Sequence, residues 1–133
     1  MRKIKFKGKC VDGGNWVYGD LFIPEFGVCI YEKLTGQNLV NPESVCQYIG
    51  RDDSGGVEIY ENDICEVEMH DGIKEILVIR FNEKKAMFEF YVYSKNESGW
   101  IISDTKIIVL ANVIDYSSLD DFLKEHNDRK TGQ

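Results

Sequence analysis

The sequence predicts a mainly β protein built of short antiparallel strands with one short C-terminal helix. Three observations predict it. Apolar and polar residues alternate at period two wherever a pattern is clear, Gly, Asn and Asp punctuate those runs, and only "SSLDDFLKEH" carries helical spacing. The chain has 133 residues, 43% hydrophobic and 12% aromatic, which is globular composition and length for one domain or two small β units.

The elements follow in order. "IKFKGKCV" is a strand with Ile4 and Phe6 on one face, while Lys3, Lys5, Lys7 and Lys9 fall on the other, solvent face. "DGGN" is a turn whose glycines supply positive φ. "WVYGDLFI" is the next strand; Gly19 marks a bulge or a close backbone approach, and Pro24 ends the run. "VCIYE" reads as a further strand. In "NPES", Asn41 as N-cap and Pro42 at the first helical position predict a single helical or 3₁₀ turn reaching Cys46.

Extended chain resumes through Tyr48 and leads into "GRDDSGGVEIYENDICEVEM". "DDSGG" is a hairpin turn in which Asp side chains bond nearby backbone N–H groups. "VEIY" and "ICEVEM" are strands around a second tight connection, "END", and "HDGI" is a hairpin apex. "IKEILVIRF" is apolar enough for a strand covered on both faces. "AMFEFYVY" sets Phe88, Phe90 and Val92 against Glu89, Tyr91 and Tyr93. "SKNESG" is a loop before "WIIS", and "TKIIVLANVIDY" is the last strand, broken near Asn112. Ser118 caps a helix with Leu119, Phe122 and Leu123 on one face, and "NDRKTGQ" is a frayed tail. The glycine-rich stretch is the place to divide the chain, giving an N-terminal β subdomain over 1–52 and a second over 53–133 with the helix and tail.

Several function classes are set aside. A net charge of −7 opposes a phosphate backbone, so a nucleic-acid partner is not expected. No apolar run reaches the roughly 18 residues of a membrane span and "MRKIKFKGKC" lacks a signal's apolar core, so no membrane partner and a cytoplasmic location are expected. Cys10, Cys29, Cys46 and Cys65 form no C-x-x-C pair and read as free, core-packing thiols. Glu61, Asp63, Glu66, Glu68, His70 and Asp71 carry ligand and proton-transfer chemistry, but the strand and hairpin pattern spreads them apart. An EF-hand register started at Asp52 puts Val57 where glycine must stand. Neither a nucleophile elbow nor a phosphate loop occurs. No catalytic residue, metal or cofactor is therefore expected, and Tyr91, Tyr93 and Trp100 form the candidate interaction surface.

"WVYG" and "ESVCQYIGRDDSGGVEIYENDI" together resemble the YopX-like family of phage and prophage proteins, over residues 16–19 and 45–64. Trp16, Tyr18, Gly19, Gln47, Tyr48, Gly50, Asp53, Gly55, Tyr60, Glu61 and Asp63 carry the match in type and spacing. The chain departs from the family's usual Gly, Thr and Gly at Cys46, Ile49 and Asn62. The resemblance implies an all-β architecture with an SH3-like barrel in the C-terminal part, a home in bacterial mobile elements, and homo-oligomers. It implies no activity, and Tyr18 and Tyr60 are expected to lock the fold by packing. The leading expectation is a non-enzymatic protein-binding or assembly module of the bacterial cytosol. The alternatives are a nucleic-acid-binding small barrel and a small metal-dependent enzyme.

Overall fold

The computed structural model describes residues 2–69, 71–99, 106–116 and 118–131. The chain divides into two compact units, Met1–Glu61 and Asn62–Gln133. Each has its own antiparallel sheet, and one α-helix is present among the described residues.

The first unit holds β1 (Phe6–Lys9), β2 (Trp16–Phe22), β3 (Val28–Glu32), β4 (Gly36–Val40), β5 (Cys46–Asp52) and β6 (Glu58–Tyr60), ordered β4-β3-β2-β1-β5-β6. The sheet curls until the chain just beyond β1 meets β4. Cys10 bridges Val40, Val11 N–H donates to the Leu39 carbonyl at 3.0 Å, and Asn41 N–H donates to the Lys9 carbonyl at 2.9 Å. Cys10, Val17, Ile30 and Val40 form the core inside the curl, with Phe6, Leu21, Val28 and Val45 packed against it.

Two sequence signals explain how this unit is shaped. Gly19 is a close approach, since a Cβ there would lie 1.9 Å from the Tyr31 carbonyl oxygen. "NPES" makes the expected 3₁₀ turn over Pro42–Ser44. Its buried Ser44 hydroxyl accepts from Lys9 N–H at 2.8 Å and donates to the Asn41 carbonyl at 2.6 Å, tying the turn to β1. Strand β4 is an addition to the sequence reading, because "GQNLV" has too little apolar alternation to announce an edge strand.

The second unit holds β7 (Asp63–Glu68), β8 (Lys74–Asn82), β9 (Met87–Val92), β10 (Glu97–Gly99), β11 (Lys106–Asn112) and helix α1 (Leu119–Thr131). Its sheet order is β10-β9-β8-β7-β11, an open meander among the described residues. Asn62 enters it at φ 68°. Asparagine tolerates that left-handed conformation, so it serves where the family prefers glycine. Leu110 lies where the β7–β11 register slips between Val109 and Ala111.

Three expectations for this unit need correction. Strand β8 is not covered on both faces: Leu77 and Ile79 are buried, Ile76 and Val78 are half-buried, and Arg80 and Phe81 are exposed. Antiparallel meanders commonly keep one face toward water. "SKNESG" is ordered as a 3₁₀ turn, Tyr93–Lys95, followed by β10. The tail is helical through Thr131. The break near Asn112 occurs as expected: its side chain accepts from Ile114 N–H at 2.9 Å and starts a 3₁₀ turn. Ser118 caps α1, accepting from Asp121 N–H at 3.1 Å. "WIIS" and His70 lie outside the described residues. All four cysteines are buried thiols outside any disulfide.

Candidate functional site

Pairing across the first sheet gathers the family-like residues. Lys7 lies opposite Tyr18 and Lys9 opposite Trp16, Lys7 also opposes Cys46 on β5, and Tyr48 opposes Tyr60. Directly opposed residues share a face, so lysines and aromatic rings line one side of the sheet.

Lys7 is the centre of that side. Its ammonium lies 4.4 Å from the Trp16 ring centroid and 4.9 Å from that of Tyr60. Lys9 is 5.4 Å from Trp16, Lys5 is 5.8 Å from Tyr18, and the Tyr60 ring sits 5.8 and 5.6 Å from Tyr18 and Tyr48. Lys7 is only 8% exposed, which corrects its assignment to a solvent face. The alternation placed it on the right side of the strand, but the rings on β2 and β6 cover that side. A desolvated cation–π contact contributes about 2 kcal/mol.

The acids of the motif have local work. Asp53 Oδ1 accepts from Gly55 N–H at 2.8 Å and Val57 N–H at 2.9 Å, closing the hairpin between β5 and β6. Gly50 has φ 92° where the β5–β6 register shifts. Glu61 accepts from Gln47 N–H at 2.7 Å; burial raises its carboxyl above the usual range, and that hydrogen bond opposes the rise. Asp63, buried at the start of β7, accepts from the Asn112 amide at 2.9 Å. The Tyr48 hydroxyl donates to Asp52 at 2.6 Å, which with burial and the Asp52 charge pushes the phenol up to about 12.

Glu58 accepts from Lys3 at 2.9 Å, Lys5 at 3.0 Å and the Tyr60 hydroxyl at 2.9 Å. Burial alone would raise its carboxyl, but those three donors and the Lys5 charge prevail and hold it below the usual range. The remaining candidates for a carboxylate site are placed separately. Glu66 pairs with Lys74 at 3.7 Å, Glu68 with Lys106 at 3.9 Å, and Asp71 Oδ1 accepts from Ile73 N–H at 3.0 Å. Among the described residues, no three His, Cys, Asp or Glu side chains converge as metal ligands.

The predicted aromatic surface on β9 is only partly described. Tyr91 is half-buried under the Arg80 guanidinium, 4.2 Å above its ring, and its hydroxyl donates to Asn96. Arg80 also pairs with Glu89 at 3.5 Å, and Glu89 is buried where the alternation put a wet face. Tyr93 begins a 3₁₀ turn, and Trp100 lies outside the described residues.

An apolar surface not picked out in the sequence lies on the first unit. An open groove of about 630 Å³ is lined by Ile4, Tyr18, Tyr31 and Leu34, with Lys3, Lys5, Asp20, Glu32 and Lys33 between them. Tyr18 is 38% exposed, Tyr31 49% and Leu34 94%. The signal that could have shown it is Leu34 itself, an apolar residue in the turn between two strands.

The family model described as YopX protein matches residues 24–119 of this chain. A search among curated proteins finds no match.

Proposed function

Because the chain belongs to the YopX family, we propose that it is a phage-type, non-catalytic protein-contact module of the bacterial cytosol that works as a homo-oligomer. The observation that carries this reading is the cluster of Ile4, Tyr18, Tyr31 and Leu34 around one open groove. Tyrosine supplies large amphipathic area at little entropic cost and is enriched among interface hot spots. Lysines and carboxylates interspersed among them resemble a polar rim. Engagement of Asp53, Glu61 and Asp63 in backbone and amide hydrogen bonds supports a structural role for the motif's acids. We further read the five-stranded meander of the second unit as an incomplete SH3-like barrel, which the family resemblance favours.

The experiment is solution mass by light scattering across a wide concentration range, for the wild type and a Tyr18→Ala/Tyr31→Ala variant, alongside capture from bacterial lysate. Tyr31 is 49% exposed, whereas the Tyr18 ring also packs edge-on against Tyr60, so the Tyr31→Ala single variant is measured beside the double one. Association that weakens in both variants is expected. A strict monomer that captures nothing would refute the reading.

A nucleic-acid role has one feature in its favour, the adjacency of Lys3, Lys5 and Lys33 to Tyr18 and Tyr31. Asp20 and Glu32 line the same groove, and Glu58 neutralises Lys3 and Lys5. Three ammoniums against three carboxylates leave no net attraction for phosphate. Single-stranded oligonucleotides are therefore expected to show no anisotropy change at physiological salt.

A further inference from the structure

The second unit contains a small apolar cavity of about 70 Å³ on the buried side of its sheet. Val67, Leu77, Val92 and Ile107, all nearly inaccessible to water, form its floor, and Phe90 forms a wall. Met69, Glu75 and Lys95 complete its lining; Met69 and Lys95 are exposed, and the Glu75 carboxylate accepts from the Ser94 hydroxyl at 2.7 Å. The floor offers no hydrogen-bonding partner, and a water needs at least two. The site therefore suits carbon. A cavity of about 150 Å³ takes the six carbons of benzene, roughly 25 Å³ per heavy atom. By that scale the present cavity holds about three, the Cγ and two methyls of a leucine.

Of the exposed leucines among the described residues, Leu39 at 41%, Leu110 at 37% and Leu34 at 94%, Leu34 presents that group most fully to solvent. It stands in the turn between β3 and β4, directly after Glu32 and Lys33. The turn and the cavity lining each carry one carboxylate and one ammonium, so the charges can pair crosswise: Lys33 can meet Glu75, and Glu32 can meet Lys95. Other protruding apolar residues fit less well. Phe26 is too large for the volume, and Ile23 is followed by Pro24 and Glu25, with no cation beside it.

We propose that Leu34 of one copy seats in the Val67–Leu77–Val92–Ile107 cavity of a second copy, with Lys33 against Glu75 and Glu32 against Lys95 at the rim. This rests on the reading that the chain self-associates and names the contact that does so. Knob and hole are different surfaces, so the contact is heterologous. Copies then add head to tail, closing into a ring or continuing as a chain.

The test uses the full chain. Leu34→Ser lies in water and leaves the fold intact, and it should weaken association roughly thirtyfold, the size of a hot-spot loss. Val92→Leu, which fills the cavity, should do the same. Neither variant alone should assemble, whereas their mixture should give a 1:1 pair and nothing larger, because one knob and one hole survive. Lys33→Glu should weaken association, and adding Glu75→Lys to it should restore assembly, which tests the rim without touching the core. Association unchanged by Leu34→Ser, or a mixture that stays monomeric, would overturn this contact while leaving self-association standing. A wild type that is monomeric at every concentration would overturn both.

Discussion

Asp53 shows how one side chain fixes a backbone. Its carboxylate satisfies Gly55 and Val57 N–H together, while its own N–H donates to the Val57 carbonyl at 2.6 Å. Asp53→Ala leaves two donors without that acceptor and should cost about 1–3 kcal/mol in urea unfolding; Asp53→Asn keeps an acceptor oxygen and should cost less. Gly19 makes the complementary case. Gly19→Ala would place a Cβ 1.9 Å from backbone that cannot step aside, and a loss of about 3 kcal/mol is expected. At Gly55 the nearest atom to an added Cβ is 3.5 Å away, an ordinary contact, so Gly55→Ala should be nearly neutral by the same measurement. Asp53 was legible in the sequence because short-range turn chemistry depends on neighbours in the chain, and Gly19 because a glycine inside a strand pattern marks a bulge or a close backbone approach. Lys7 was not, since its burial depends on Trp16 and Tyr60, which strand pairing alone brings beside it.

At the scale of elements, the β5–β6 hairpin links the family motif to a measurable pH dependence. The Tyr48 phenol, held protonated by its bond to Asp52, titrates near 12 in the folded chain against about 10 when unfolded. A folded value above the unfolded one means that the stabilisation is fully present below about pH 10 and is lost as pH rises through about 12. Wild type should therefore lose stability over that window more steeply than Tyr48→Phe, which has no proton to release. Parallel slopes for the two proteins in urea titrations between pH 9 and 12 would show that the Asp52 bond contributes nothing. Element type was largely readable from periodicity, which reports the face a residue occupies. It failed where an edge carries little apolar pattern, as in "GQNLV", and where a charge is buried by a partner across the sheet, as Glu89 is by Arg80.

For the whole molecule, what no period encodes is which strands are neighbours. Strand β1 sits between β2 and β5, and β11 returns to pair with β7 at separations such as Asn112 to Asp63. Each sheet nevertheless satisfies its ladders within its own unit, and every strand through β6 belongs to the first while every strand from β7 belongs to the second. Two units with separate ladders need not melt at one denaturant concentration. In a Trp100→Phe chain, Trp16 emission reports the first unit alone, because Trp16 is then the sole tryptophan and lies on β2. Ellipticity at the helical wavelength reports the second, through α1. The two urea transitions should have different midpoints, and the emission transition should have a slope appropriate to about half the chain's buried surface, because the slope scales with the area exposed. Coincident midpoints with a full-chain slope would instead mean that the two sheets unfold as one cooperative body.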